Sequence, residues 1–274
     1  MSDAAPILAP RETFNQVAEL YDAMRPGYPD ALYDEVLSLA ALTPASRIFE
    51  IGCGTGHATR AFATRGFPID CVELGENMAA LARRNLADFP RVSITVADFD
   101  RFATPARSDL VFSATAYHWL HPATRAARSA ALLQPGGWLA VWRNHQARTT
   151  GLSEEFLKPL RALYTREAPA LVFKFASIPR TEEIPQPEPQ EWAATGLFAP
   201  AQSRVYHWTR EYTAADYVQM LSTHSDHRML PPAQRDRLLT QVRRLIDRDF
   251  AGSVVREYAT LLHLARLNSP RKIA

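Results

Sequence analysis

The sequence predicts an α/β fold in which helices cover both faces of a doubly wound, mostly parallel β-sheet. Three observations lead to this prediction. Short apolar runs alternate with helix-length segments through residues 47–142, a glycine cluster follows the first run at residues 52–56, and a further apolar run lies at residues 254–267. Strands that are separated by helix-length segments pair in parallel through right-handed crossovers. The glycine cluster lies where such a sheet commonly binds a ligand.

The elements follow from the spacing of apolar residues and from the turn residues between them. In the first half of the chain, strands are predicted at residues 47–51, 69–74, 92–97, 110–114 and 138–142, and helices at residues 57–65, 76–88 and 122–133. The turn Pro135-Gly136-Gly137 precedes the fifth strand. This alternation of strands and helices is typical of a parallel sheet.

The pattern changes after Asn144. Helices are predicted at residues 152–167, 214–221 and 232–249, and strands at residues 205–212 and 254–267. The proline-rich stretch at residues 184–191 is predicted to be neither regular helix nor central strand, because proline lacks the backbone N–H group that both require. The segments before the last strand therefore predict a cap, and long insertions at one sheet edge commonly line a ligand site.

The composition narrows the class of protein. Hydrophobic residues make up 47% of the 274 residues and charged residues 22%, as in a globular chain that buries its own core. The net charge of +2 argues against a nucleic-acid partner. The two cysteines, Cys53 and Cys71, predict neither a disulfide framework nor a metal site. Because no secretory signal or membrane-length apolar run is recognisable, we expect a cytoplasmic protein with no membrane partner.

The segment FEIGCGTG at residues 49–56 is the most informative part of the sequence. It links a predicted strand to a predicted helix, and Gly52, Gly54 and Gly56 let its backbone turn sharply and approach a ligand. The dinucleotide fingerprint G-x-G-x-x-G would need a third glycine where His57 stands, and no phosphate loop G-x-x-x-x-G-K-[ST] is present. The segment therefore predicts a nucleoside-type ligand and argues against a nicotinamide oxidoreductase.

Carboxylates end the next two predicted strands. Glu73 closes the second strand, and Asp98, followed by Phe99, closes the third. A carboxylate at the end of the second strand is the position that accepts ribose hydroxyls in nucleoside-binding sheets. An acceptor beside an aromatic ring suits adenine, whose amine donates a hydrogen bond and whose face stacks. The alternative is that both carboxylates cap helices.

Four motifs resemble the core motifs of the class I S-adenosylmethionine-dependent methyltransferases. They are EIGCGTG at residues 50–56, VELGENM at residues 72–78, VADF at residues 96–99 and LQPGG at residues 133–137. The aromatic-rich start, from Phe14 through residues 21–29, and AYHW at residues 116–119 look most like the trans-aconitate-methyltransferase-like small-molecule enzymes. The resemblance covers about residues 14–145 and departs at Gly75, where the family more often has Ser or Asp.

The resemblance implies a Rossmann-like sheet of seven strands and S-adenosylmethionine as the cofactor. Together with the element pattern, it predicts an N-terminal helical lid at residues 1–40, a cofactor-binding α/β core at residues 41–145, cap insertions that form the substrate pocket at residues 146–204 and 213–250, and the last strands of the core sheet at residues 205–212 and 254–267.

The resemblance also implies roles for individual residues. Glu50 is expected near the ammonium group of the cofactor, Glu73 at the ribose and Asp98 at the adenine. Arg25 either pairs with a carboxylate of a ligand or stiffens the predicted lid. The complete set of expected cofactor-binding residues is Tyr21, Arg25, Glu50, Gly52, Gly54, Gly56, Glu73, Leu74, Met78, Asp98, Phe99, Ser113 and Ala114.

Methyl transfer needs an oriented acceptor, and it needs a base only if the acceptor has a proton to lose. His118 follows the fourth predicted strand and is the candidate catalytic base, since the ordinary pKa of histidine is about 6.5. The alternative is that His118 shapes the pocket. The expected acceptor-binding residues are Tyr28, Tyr117, His118, Trp119 and Trp142, with core packing as the alternative for the aromatic rings.

The sequence thus predicts an enzyme that methylates a small molecule, and the resemblance suggests O-methylation of a carboxylate. Ser113-Ala114-Thr115-Ala116 stands where amino-methylating DNA enzymes carry an N/D-P-P-aromatic signature, which argues against that class. Hydroxyl and carbon acceptors remain open. The alternatives are a methyltransferase of a macromolecule and a non-catalytic regulatory protein that binds S-adenosylmethionine. The sequence predicts no oligomeric state.

Overall fold

The computed structural model describes residues 18–176 and 178–268. Its described strands form one seven-stranded sheet in the order β3-β2-β1-β4-β5-β7-β6. The strands are β1 (Ile48–Ile51), β2 (Ile69–Glu73), β3 (Val92–Val96), β4 (Ser108–Ala114), β5 (Leu133–Gln146), β6 (Gln202–Thr213) and β7 (Ser253–Arg266). Strands β1 to β5 pair in parallel, and β7 runs antiparallel to β5. The predicted fold class, a mostly parallel α/β sheet, is confirmed.

The register of the parallel strands brings their carboxyl ends to one edge of the sheet. Ile51 at the end of β1 pairs with Val72, and Glu73 at the end of β2 pairs with Val96. Ala114 at the end of β4 pairs with Trp142 of β5. The connections that leave these ends therefore start side by side, which is where open α/β sheets bind their ligands.

The described helices are α1 (Ala18–Met24), α2 (Asp30–Leu39), α3 (His57–Ala63), α4 (Glu76–Asn85), α5 (Arg125–Ala131), α6 (Glu154–Glu167), α7 (Val172–Phe175), α8 (Glu188–Thr195), α9 (Ala214–Ser222), α10 (Ser225–Arg228) and α11 (Pro232–Asp249). Within the described ranges, none of these helices has the length and apolar content to cross a membrane.

The chain divides into two compact units. The first, which we call the helical unit, comprises Met1–Pro26, Thr150–Pro179 and Thr209–Glu257. The second, the sheet unit, comprises Gly27–Thr149, Arg180–Trp208 and Tyr258–Ala274. The segment Arg180–Trp208 thus groups with the sheet, whereas the sequence analysis assigned most of it to the cap. The predicted roles of the lid and the cap stay predictions, and residues 1–17 of the lid lie outside the described residues.

The sheet unit has an apolar core on each face of the sheet. On one face Phe62, Phe112 and Trp142 pack together, and the rings of Phe112 and Trp142 stack with centroids 5.0 Å apart. On the other face Val111 and Leu139 belong to a second cluster that includes helix α5. Neighbouring strand residues therefore serve opposite cores, because successive side chains of a strand point to opposite faces.

The helical unit is organised around buried polar side chains. The Glu257 carboxylate accepts hydrogen bonds from the backbone N–H groups of Gly151 and Ser153, at 3.2 and 3.0 Å, and so fixes the start of α6. The Tyr164 hydroxyl lies 2.7 Å from Nε2 of His227. Carboxylate bonds to the free N–H groups at a helix start stabilise that helix, since those groups have no partner within it.

Two sequence predictions about local structure were wrong. The segment at residues 184–191 contains the start of α8, with Pro189 in its first turn, where the missing N–H group would have no partner in any case. Residues 122–133 were predicted to be one helix, but α5 spans only Arg125–Ala131, and β5 begins at Leu133 and runs through Gly136. The glycine pair lies within the strand rather than before it.

Candidate functional site

The glycine loop at residues 52–56 joins β1 to α3 at the carboxyl edge of the sheet. Gly52 has φ +72°, and a Cβ atom there would lie 2.5 Å from Cβ of Ala116. Gly56 has φ +92°, and a Cβ atom there would lie 2.8 Å from Cδ1 of Leu86. Both positions therefore require glycine for conformation and for space. The loop backbone lies directly against the segment that follows β4.

The Glu73 carboxylate ties the glycine loop to the start of α4. Its Oε2 accepts a hydrogen bond from the N–H group of Gly54, and its Oε1 accepts one from Gly75, both at 2.9 Å. Burial raises the pKa of Glu73, and the bonds from backbone N–H groups act against that rise. Met78 and Leu74 complete this region: Met78 is buried beside Gly54, and Leu74 is half-buried. Glu73 thus lies where the sequence placed a ribose acceptor.

Asp98 lies beyond the end of β3 and is half-buried. Its Oδ1 accepts a hydrogen bond of 3.0 Å from the N–H group of Asp100. The Phe99 ring is packed into the core beneath the Arg128 guanidinium, whose carbon lies 5.6 Å from the ring centroid. Arg128 also donates to the carbonyl of Phe99 at 2.8 Å. Phe99 and Arg128 therefore hold Asp98 in position at the sheet edge.

Glu50 is enclosed beneath the glycine loop. Its side chain is 1% exposed, and its Oε2 accepts a hydrogen bond of 2.5 Å from the Thr59 hydroxyl. Burial raises the pKa of Glu50 to about 8, so the carboxyl group is protonated at neutral pH. A neutral, enclosed carboxyl differs from the charged acceptor that the sequence predicted for the ammonium of the cofactor. Its role toward a ligand stays a prediction.

His118 lies in a single turn of 3₁₀-helix, Tyr117–Trp119, after β4. Burial lowers its pKa to about 3, and the charges of Arg143, His145 and Arg125 contribute to the decrease. The imidazole is therefore neutral at physiological pH. It can exchange hydrogen bonds with a ligand, but its conjugate acid is too unstable for an efficient general base near pH 7.

The turn that carries His118 is anchored by Arg125 of α5. The Arg125 guanidinium donates to the Tyr117 carbonyl at 3.0 Å and lies 4.7 Å from the centroid of the Tyr117 ring. Its charge is paired with Glu191, with a contact of 2.6 Å. The Tyr117 hydroxyl accepts a hydrogen bond from Nε1 of Trp192 at 3.3 Å. Charge-paired, hydrogen-bonded contacts of this kind hold a short turn rigidly.

The aromatic residues that were predicted to bind the acceptor divide into two groups. The Tyr117 and Trp142 side chains are 2% and 1% exposed and belong to the two cores. Buried rings have no surface left for an acceptor, which corrects the prediction for these two residues. Tyr28 and Trp119 are half-buried, and Trp119 lies beside His118 with ring centroids 4.6 Å apart. These two keep their predicted role as a hypothesis.

The end of β4 faces the glycine loop. The Ser113 hydroxyl donates to the Ile51 carbonyl at 2.9 Å, and half-buried Ala114 ends the strand. Thr115 follows with φ +56°, and its Oγ1 accepts a hydrogen bond of 2.9 Å from the Tyr28 hydroxyl. Sequence reasoning named Tyr28 but missed this hydrogen bond, since no local pattern indicates a positive φ at threonine.

Tyr21 and Arg25, two further expected cofactor residues, belong to the helical unit. The Arg25 guanidinium lies 5.0 Å from the Tyr21 ring centroid and donates to the Thr223 carbonyl at 3.3 Å. Their contact with a cofactor stays a prediction.

Two residues of β5 near His118 were not among the predicted site residues. Arg143 and His145 are two positions apart and so share a face of the strand, and the pKa of His145 is lowered to about 4 by burial and by Arg143. An alternation of basic side chains at a strand end is the signal that could have indicated them. No group of metal-ligating side chains is found in the part of the chain that the structure describes.

The comparisons with known proteins agree with this geometry. Residues 48–137, which run from β1 into β5, match the family model described as a methyltransferase domain. An uncharacterized methyltransferase of Mycobacterium tuberculosis is 25% identical over 236 residues, which cover 85% of each chain. A trans-aconitate 2-methyltransferase of the same species is 30% identical over 118 residues, which cover 42% of this chain and 43% of that protein.

A solved structure with the same fold extends the similarity beyond the matched domain. The putative type II methyltransferase from Anaeromyxobacter dehalogenans superposes with a TM-score of 0.59 at 21% identity, covering 90% of this chain and 99% of that chain. The glycine loop and the carboxylates at the strand ends thus lie in a methyltransferase domain at residues 48–137, and the chain is similar to methyltransferases over most of its length.

Proposed function

We propose that this methyltransferase transfers the methyl group of S-adenosylmethionine to a carboxylate oxygen of a small organic acid. The observation that carries the proposal is the neutral state of His118, whose pKa is lowered to about 3. A hydroxyl acceptor must lose a proton during transfer, whereas a carboxylate has already lost its proton at neutral pH. A site whose histidine is a poor base therefore favours a carboxylate acceptor.

The residues at the sheet edge fit the cofactor. The positive φ of Gly52 and Gly56 opens the backbone to close approach, and Glu73 offers carboxylate oxygens for ribose hydroxyls. Asp98 offers an acceptor for the adenine amine. When bound, S-adenosylmethionine supplies the activated methyl group.

The acceptor side is formed by basic side chains near the end of β5. Arg143 lies close enough to His118 for its charge to depress the pKa of His118, and His145 lies close enough to interact with His118. A guanidinium suits a carboxylate, because its N–H groups match the two oxygens of that group. We propose that Arg143 orients the acceptor carboxylate and that His118 and His145 exchange hydrogen bonds with it. The partial similarity to a trans-aconitate 2-methyltransferase supports an acid as the acceptor.

We further propose that the acceptor is a free small molecule in the cytoplasm rather than a nucleic acid. A net charge of +2 offers little attraction to phosphate backbones, and Cys53 and Cys71 are both free thiols. Mixing the protein with tRNA and duplex DNA at low salt should give no retention on a filter. Retention at the affinity of a small-molecule substrate would contradict this part of the proposal.

The experiment that tests the acceptor is a screen in matched pairs. The protein is incubated with S-adenosylmethionine and with mono-, di- and tricarboxylic acids, each beside its primary alcohol and its amide. We expect S-adenosylhomocysteine and a methylated product only with acids, and the product should be hydrolysed by mild alkali as a methyl ester is. A base-stable ether from an alcohol, or turnover of the amides, would contradict the proposal.

A further inference from the structure

Thr115 has an unusual backbone conformation at the centre of the site. It directly follows β4 and has φ +56°. Within the described residues, the other non-glycine residues with positive φ are Ala41 and Ala251. A β-branched side chain is disfavoured in this region, because its branched Cβ atom crowds the backbone. Such a residue persists only where its surroundings impose the conformation, and such residues cluster at functional sites.

Three contacts impose this conformation. The N–H group of Thr115 donates to the Trp142 carbonyl at 2.8 Å. This bond keeps the backbone paired with β5 one residue beyond the end of β4. Its Oγ1 accepts the hydrogen bond from the Tyr28 hydroxyl at 2.9 Å. The next residue, Ala116, places its Cβ where a side chain on Gly52 would be. The left-handed turn thus directs the chain across the glycine loop and into the turn of His118.

Gly27, the residue before Tyr28, is held by a chain of hydrogen bonds through the sheet unit. Nε1 of Trp208 donates to Oγ1 of Thr260 at 2.9 Å, and that hydroxyl donates to Oδ1 of Asn144 at 2.6 Å. Nδ2 of Asn144 then donates to the carbonyl of Gly27 at 2.9 Å. The Tyr28 ring packs edge-on against Trp142, with centroids 6.0 Å apart. Gly27 is therefore held by its hydrogen bond from Asn144, and Tyr28 by its packing against Trp142.

We propose that the hydrogen bond between Tyr28 and Thr115 is a positioning device for methyl transfer. It holds Thr115 in the left-handed conformation, and through the turn at Ala116 it sets where His118 stands relative to the acceptor. Tyr28 and Thr115 are positioning residues, since they act through His118, and for Tyr28 this role replaces the hypothesised contact with the acceptor. This inference rests on the proposed function, which places methyl transfer at the end of β4.

The test is a double-mutant cycle with Tyr28→Phe and Thr115→Val, each of which removes one hydroxyl and keeps the shape of the side chain. We expect each single variant to lower kcat by about fivefold, because even a small misplacement of a group at the reaction site is costly. The acceptor KM and the Kd for S-adenosylmethionine should change by less than threefold. The double variant should be no slower than the slower single variant, since one bond is lost in all three.

A matched control is Thr115→Ser, which keeps the hydroxyl and should retain kcat within twofold. The inference is overturned if Tyr28→Phe and Thr115→Val both keep kcat within twofold, or if their losses multiply in the double variant. If Thr115→Val fails to fold, the comparison of Tyr28→Phe with Thr115→Ser decides in the same way. Failure of the proposed function is distinguished by the wild type, which would then give no methyl ester with any acid.

Discussion

Glu73 combines two tasks in one side chain. Its carboxylate holds the glycine loop through Gly54 and the start of α4 through Gly75, and we propose that it also accepts hydrogen bonds from the ribose hydroxyls. Glu73→Ala removes both interactions, so we expect the Kd for S-adenosylmethionine to rise at least tenfold, or about 1.4 kcal/mol. Isothermal titration of the variant and the wild type measures this change. Asp98→Ala should weaken binding to a similar degree.

The matched control for Glu73→Ala is Asp88→Ala, which removes one carboxylate from the exposed end region of α4. It should leave the Kd within twofold, because a distant surface charge contributes little to binding at physiological salt. Equal affinities for the wild type and for both the Glu73 and the Asp98 variants would show that the sheet edge does not hold the cofactor.

His118 illustrates how burial changes the chemistry that a sequence suggests. With a pKa of about 3 the side chain stays neutral from pH 5 to pH 9, so its titration should not appear in the pH profile of kcat. We expect a flat profile between pH 6 and pH 8 and a loss of less than about tenfold in kcat for His118→Gln, which keeps a hydrogen-bonding group. If kcat of the wild type instead falls in acid with a midpoint near pH 6.5, and this fall is absent in the variant, His118 is the general base.

The sequence reached some site residues because their position is set by local pattern. Glu73 and Asp98 could be placed at the sheet edge, since a carboxylate at the end of an apolar run marks the edge of a parallel sheet; their roles toward a ligand stay predictions. Tyr117 and Trp142 could not be told from pocket residues, because an aromatic side chain at a strand end looks the same whether a core or a ligand covers it. The Tyr28–Thr115 bond spans 87 residues and leaves no periodic signal.

At the scale of elements, the contact between the glycine loop and the turn after β4 leaves the least space for a substitution. Gly52→Ala would combine a left-handed backbone with a Cβ 2.5 Å from Ala116. Gly66 is a matched control, since its φ is +86° and no atom lies within 4 Å of a Cβ built there. We expect Gly66→Ala to lower the free energy of unfolding by about 1–2 kcal/mol, the cost of the conformation alone.

Gly52→Ala should cost more than Gly66→Ala, because Ala116 or the loop must also move. It should also weaken S-adenosylmethionine binding, which Gly66→Ala should leave unchanged. Urea denaturation and cofactor titration of the two variants measure both effects. Equal stabilities and equal affinities would mean that the loop does not need its close approach to the turn.

Most helices and strands could be predicted from periodicity, and the failures have physical causes. Helix α11 was predicted at residues 232–249 and spans Pro232–Asp249, because its apolar stripe is regular and a proline opens it. Helix α8 was missed, since proline at a first helical turn reads like proline in a loop unless the helix start is known. The length of β5 depends on its pairing with β7, which no local signal reveals.

At the scale of the whole molecule, buried histidines make the fold sensitive to acid. Burial lowers the pKa of His118 to about 3 and that of His145, His227 and His263 to about 4. Unfolded histidines bind protons below pH 6.5 while these folded ones do not, so stability falls as the pH decreases from 6.5 toward 4. Glu50 acts in the opposite direction because its pKa is raised.

Burial raises the pKa of Glu73 as well. Four histidines therefore destabilise the fold in acid and two carboxyl groups stabilise it, and the net effect is a loss of stability. We expect Tm to fall by at least about 5 °C between pH 6.5 and pH 4.5. His263→Gln should reduce this fall, since it removes one group that is forced to stay neutral. A Tm that is constant or rises over this interval would contradict the prediction.

The fold shared with known methyltransferases predicts where a cofactor would bind but not which acceptor is used, because related folds carry many chemistries. In this chain the acceptor chemistry is argued from the basic strand end and the neutral histidine. The identity of the acid depends on groups that lie around those residues, and the matched-pair screen addresses it directly.

The central claim, that the glycine loop and the strand-end carboxylates bind S-adenosylmethionine, is tested most directly by calorimetric titration. The wild-type protein is titrated with S-adenosylmethionine and, separately, with NADH. We predict binding of S-adenosylmethionine with a Kd in the micromolar range, about −8 kcal/mol, and no binding of NADH. No heat with S-adenosylmethionine, or binding of NADH alone, would contradict the claim and assign the loop to another ligand.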